Sequence, residues 1–183
     1  MRLYSFPYAG AKITLVDTPG FNDPTKSDTE VQGDICAWMS SSYRKGKRLS
    51  GIIYLHRITN VRMDGSSMGY VGMLQRLCGR NALSNVLLTT TQWCNVNQVQ
   101  GESRERELRE GDFWGGLIAE GASLARFMGT RESGLALVNN VMGKDPKPLL
   151  IQDQMVEKSM ELVETDAGRF ISEELISLQN TRT

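Results

Sequence analysis

The chain has 183 residues, 40% hydrophobic and 23% charged, with Lys+Arg and Asp+Glu balanced at 21 each. That size suits one globular domain with a small appendage, and the charge balance gives no reason to invoke nucleic acid or an anionic membrane surface. The three scattered cysteines make neither metal-binding spacing nor a disulfide framework, and no apolar run reaches membrane-span length, so a cytoplasmic protein is expected.

Leu3 to Tyr8 reads as a short strand, and Lys12 to Val16 as the next, joined at Gly10 and therefore antiparallel neighbours. Ser27 or Asp28 caps a helix from Thr29 to about Lys45, in which Val31, Ile35, Trp38, Met39 and Tyr43 follow helical spacing. The run Ser50 to Leu55 is continuously apolar, as a strand covered on both faces would be. After a polar loop, Met68 to Cys78 reads as helix and Asn85 to Thr90 as a further buried strand. A long helical region is expected from Glu102 to about Ser123, charged at first and core-like around Phe113, Trp114 and Leu117. Leu124 to Met128 suits a final strand, and Thr130 or Ser133 caps a helix ending at Gly143. Beyond Pro146 and Pro148 come two more helical patterns, Leu149 to Leu162 and Thr165 to Leu178.

Strands alternating with helices predict an α/β fold, a three-layer doubly wound and mostly parallel sheet. The expected division is a domain over 1–145 and a helical C-terminal extension over 146–183.

The most informative stretch is Ile13 to Asp23, ITLVDTPGFND. A β-branched run delivers Asp17 and then Thr18, Pro19 and Gly20 to a strand end, where open α/β sheets bind ligands. In phosphoryl-transfer proteins a carboxylate so placed supports Mg²⁺, and a following glycine can offer its N–H to a γ-phosphate. A turn built of turn-forming residues is the plainer reading. The second candidate is Thr89 to Cys94 at the end of the third apolar strand. A guanine reader needs a carboxylate there, and Cys94 offers none. Trp93 serves either as a wall for a base or as core, and the residues leave both open. His56, the single histidine, has no partner in a recognisable triad, which favours a satisfied strand-end histidine over a catalytic one.

Together, DTPGFND at 17–23, GIIYLHRI at 51–58, LCGRNALSNV at 77–86, TT-x-W at 90–93 and GTRES at 129–133 resemble fungal septin-like or immune-associated (GIMAP-like) P-loop GTPases. The likeness runs from about residue 3 to about 180. It implies a G-domain fold that here lacks the family's N-terminal strand, P-loop and first switch, since no G-x-x-x-x-G-K-[ST] occurs. Carried over residue by residue, Asp17 and Gly20, with Thr18 and Pro19 between them, match the second switch motif, and Asp17 is the implied Mg²⁺ residue. Thr90, Thr91, Trp93 and Cys94 match the base-specificity loop, with Cys94 in the place of its Asp. Gly129 and Thr130 fall near the loop whose backbone can touch the base.

The resemblance implies a GTP-binding, GTPase-type switch using Mg²⁺ with GTP or GDP, either recorded as a fragment or weakened in binding. No catalytic residue is assigned. The alternative is a nucleotide-free pseudo-GTPase that works as a protein-interaction module. The expected partners are a guanine nucleotide and a homo- or hetero-oligomer formed through the G face or the C-terminal helices. A non-GTPase enzyme built around His56 or Cys94 finds no supporting motif.

Overall fold

The computed structural model describes residues 1–20, 25–60 and 65–180; for 65–67 and 174–180 the description is of the backbone alone. Phe21, Asn22 and Asp23 of the DTPGFND motif, and Asp64 of the polar loop, lie outside the described residues.

The chain opens with an antiparallel hairpin of β1 (Arg2–Tyr8) and β2 (Ala11–Asp17), in which Tyr4 faces Leu15 and Phe6 faces Ile13. Its two-residue loop, Ala9-Gly10, has positive φ at both positions, as the twist of a tight hairpin demands. Helix α1 (Asp28–Arg44) begins at Ser27, whose hydroxyl accepts from the Glu30 N–H while the Glu30 carboxylate accepts from the Ser27 N–H. It buries Val31, Ile35, Cys36, Met39 and Tyr43, and Trp38 packs at the core margin.

A second sheet follows, with β3 (Ile52–Arg57), β4 (Val86–Thr91) and β5 (Ser123–Arg126) in the order β3-β4-β5, all parallel. Parallel neighbours need crossovers. These are α2 (Gly65–Cys78) between β3 and β4, and α3 (Gln98–Glu110) with α4 (Gly115–Ala119) between β4 and β5. Helix α5 (Arg131–Val141) follows β5, capped by Thr130 and Ser133 together. Alternate residues of β4 enter different layers: Val86 and Leu88 join the main core with Leu74, Leu83 and Trp114, whereas Leu87 is buried outside it. Helix α5, with Leu137 and Val138 buried, packs against β4.

The remaining chain forms a short α6 (Leu150–Gln152) running into a π-helical turn, Asp153–Glu157, and then α7 (Asp166–Asn180). Leu149, Ile151, Ala167 and Ile171 belong to the main core cluster, packed against α1 and α2.

Three expectations change. The helical region from Glu102 breaks at Gly111, which is extended, and the reversal buries Trp114 completely. The 149–162 pattern yields only about two turns, because the chain reverses at Ser159, held at positive φ. β3 is not covered fully on both faces: His56 is buried and Ile53 partly so, but Leu55 is 61% exposed.

The hairpin and the three-stranded sheet are separate ladders. Helix α5 touches both. Asn139 donates to the Tyr8 hydroxyl at 2.9 Å, and Val141 crowds Gly51 just before β3.

Candidate functional site

At the C-terminal ends of β4 and β5 the chain builds one tightly bonded corner. Thr90 is fully buried; its hydroxyl accepts from the Trp93 indole N–H at 3.1 Å, and its carbonyl accepts from the Phe127 N–H at 2.8 Å. Thr91 donates its hydroxyl to the His56 carbonyl at 3.3 Å, tying the same loop to β3. Gln92 then adopts a left-handed conformation, φ 62° and ψ 35°, and a single 3₁₀ turn over Trp93–Asn95 leads to α3. A non-glycine residue in that region carries backbone strain and persists only where its surroundings hold it. Two bonds hold it: Thr59 donates to the Gln92 side-chain oxygen at 3.3 Å, and the Asn95 N–H donates to the Gln92 carbonyl at 3.1 Å.

Trp93 is buried, its ring packed on Gly101 of α3. The Arg126 guanidinium lies over the indole, 4.2 Å from the ring centre. Arg126 in turn makes a two-point pair with the buried Glu105, donating from Nε at 2.9 Å and from Nη2. The carboxylate raises Arg126 above its ordinary guanidinium range.

Cys94 is exposed, its thiol donating to the neighbouring Asn95 side-chain oxygen. Asn97 cannot serve as a substitute reader, because its side-chain oxygen caps α3 by accepting from the Gln100 N–H at 2.9 Å. Gly129 has φ 77° and open space around it, and Met128 and Thr130 bond to the Ser133 hydroxyl. The corner thus brings together Thr90, Thr91, Trp93 and Cys94, with the Gly129 loop tied in through Phe127.

Asp17, Thr18, Pro19 and Gly20 lie at the end of the hairpin, whose ladder is separate from the sheet that carries this corner. Asp17 is exposed and lies opposite Arg2 in the strand register, and Gly20 has open space where a Cβ would be. Among the described residues there is no cluster of three or more His, Cys, Asp or Glu that could hold a metal. A nucleotide-borne Mg²⁺ needs only one or two carboxylates besides phosphate oxygens and water, and Asp17 suits that part alone. The triphosphate itself is poorly served. Lys12 sits in the hairpin opposite Pro7, and Arg48 is spent stacking on Tyr43 at 3.9 Å and donating to the Tyr43 carbonyl. Neither belongs to a glycine-rich turn at a helix N-terminus.

His56 points into the core, its ring edge-on to Trp114 at 5.7 Å, and burial lowers its pKa. It takes no part in the corner except through its backbone carbonyl. Sequence reading missed Glu105, Arg126 and Gly101. Glu105 and Arg126 lie 21 positions apart on different elements, so no local spacing signals their pair.

No protein-family model matches the chain, and no curated protein matches it in sequence. Solved structures do match in shape. One is Toc33 from Arabidopsis thaliana in complex with Mg²⁺ and GMPPNP, with a TM-score of 0.55 at 14% identity, covering 71% of this chain and 57% of that one. The fold is that of a GTPase domain. A second match comes from the chloroplast translocon components atToc33 and psToc159, for whose GTPase activity dimerization is important. It has a TM-score of 0.56 at 12% identity and covers 79% of this chain and 69% of that one. The matched part therefore spans little more than half of the Toc33 chain. Among the described residues no helix is long and apolar enough to cross a membrane.

Proposed function

We propose that this chain is a GTP-binding, GTPase-type switch domain whose hold on the nucleotide is weak when it acts alone. The observation that carries the reading is the corner at the ends of β4 and β5, in a fold shared with a protein solved with Mg²⁺ and GMPPNP. Ligands of open α/β sheets sit outside the carboxyl ends of the strands. In this reading Thr91, Cys94 and Gly129 lie toward the base, with Thr90 and Trp93 buried beneath them as supports, and Asp17 with Thr18, Pro19 and Gly20 answers to the phosphate end and its Mg²⁺. The ion would supply charge neutralisation across the phosphates. Asp17 would hold it, directly or through water, and the Gly20 N–H would sense the γ-phosphate. Residues 1–145 form the G domain and 146–183 its extension. Septin-like or immune-associated ancestry belongs to the same proposal, as does pairing of two copies, which the translocon neighbours' dimerization supports by analogy.

Cys94 favours a second reading. Where a guanine reader needs an acceptor for two N–H groups, a thiol already bonded to Asn95 is a poor one. A nucleotide-free interaction module would retain this fold without that loss.

Titration of the full chain with fluorescent mant-GDP and mant-GMPPNP, in Mg²⁺ and then in EDTA, separates the two. The switch reading expects micromolar binding that weakens in EDTA and in Asp17→Ala. No binding up to about 1 mM, equivalent to about −4 kcal/mol, leaves only the interaction module.

A further inference from the structure

We infer that Arg126 is a positioning residue that sets the relative placement of the two loops Gln92–Asn95 and Phe127–Thr130. The inference rests on reading those loops as the base-facing part of a nucleotide site, and it names a residue that acts on that part without touching the base.

Five contacts carry it. The first loop contains a strained left-handed residue, Gln92, and its one large anchor is Trp93. The Trp93 ring packs on the Gly101 backbone and under the Arg126 guanidinium, with its N–H bonded to Thr90. Arg126 cannot swing away, because Glu105, only 7% exposed, grips it at two nitrogens. One residue further on, the Phe127 N–H bonds the Thr90 carbonyl, so the chain that leaves Arg126 for the Gly129 loop is fastened to the strand that leads into the Trp93 loop.

The chemistry of arginine is required for this. A planar guanidinium can stack on an indole and still present two parallel N–H groups to a carboxylate in its own plane. A lysine ammonium keeps the charge and loses both geometries. Glu105 gives the arrangement its stiffness: a carboxylate buried this deeply holds its partner in one place, and removing Arg126 alone would leave it uncompensated.

The test uses the full chain as Arg126→Lys and as the double variant Glu105→Gln/Arg126→Met. The double variant removes both charges and so avoids an uncompensated buried carboxylate. Amide hydrogen exchange is read at 92–95 and 127–130, with α1 as the remote control. The inference expects about tenfold faster exchange at both loops in both variants, with α1 unchanged. Unchanged loops, or acceleration that is equal in α1, overturn it. On the nucleotide side it expects mant-GDP and mant-GMPPNP to weaken by the same factor, since the base end is common to both. Nucleotide binding that stays unchanged alongside loosened loops also overturns it. If the unmodified chain binds none of these nucleotides, the switch reading fails, and the exchange measurement still decides whether Arg126 places the loops.

Discussion

The α3 backbone at Gly101 lies so close to the Trp93 indole that a Cβ there would stand 2.6 Å from ring carbon Cζ3. A helical Gly→Ala change ordinarily gains up to about 1 kcal/mol. Here the methyl displaces a ring already held by Arg126, and overpacking costs about 1–3 kcal/mol. Gly101→Ala should therefore lower stability in urea unfolding. Gly33→Ala in α1, which meets nothing within 4 Å, should raise it.

Gly168 makes a harsher case. A Cβ there collides with the Leu162 carbonyl, a backbone group that cannot step aside. The same turn has Thr165 donating to the Leu162 carbonyl at 2.6 Å and accepting from the Gly168 N–H at 3.0 Å. Gly168→Ala should cost about 3 kcal/mol or more, measured by thermal unfolding, and should loosen α7, which carries Ala167 and Ile171 into the core.

Thiol chemistry should separate the three cysteines. Burial pushes the Cys36 and Cys78 thiols up to about 12, whereas Cys94 is exposed. Thiolate is the reactive form. Native protein treated with a thiol-reactive disulfide near neutral pH should label only at Cys94, and protein in denaturant at all three. Fast labelling of Cys36 or Cys78 in the native protein would contradict the packing of α1 and α2.

His56 gives the chain a pH dependence of definite sign. Burial lowers its folded-state pKa below the ordinary 6.5. As pH falls past that value the unfolded chain takes up a proton that the folded chain refuses, so stability present above it is lost on acidification. The slope is at most about 1.4 kcal/mol per pH unit. His56 is the single histidine, and the lowered carboxylates, Glu30 and Asp34, act in a more acidic window. Urea midpoints should fall between about pH 7.5 and 5.5, and His56→Phe should remove most of that fall.

The elements legible in the sequence were those with a local cause. Ser27 with Glu30 announces the start of α1, and Thr130 with Ser133 the start of α5, because capping groups lie three residues apart. The apolar run 86–88 became the central strand of its sheet, buried on both faces as such a run predicts. The identical argument failed at Leu55, whose exposure is set by what packs over its face of β3, which no local pattern reveals. The break at Gly111 was also missed, since Trp114 and Leu117 resume helical spacing just beyond it. At the candidate site Thr90 and Trp93 stood out by their place after a strand. Arg126 and Glu105 did not, because the fold alone brings them together.

The separation of the two ladders has a mechanical consequence. A continuous sheet transmits displacement through its backbone hydrogen bonds, rung by rung. Here the hairpin that carries Asp17 and Gly20 meets the rest of the fold through side chains: Met1 packs on the main core, Asn139 of α5 bonds Tyr8, and Val141 of α5 lies beside Gly51. Side-chain contacts of that kind yield before a ladder does. Motion at the hairpin therefore reaches the corner where Thr90 and Trp93 sit through side-chain packing, that of α5 and that of Met1 on the main core, and not through a shared ladder.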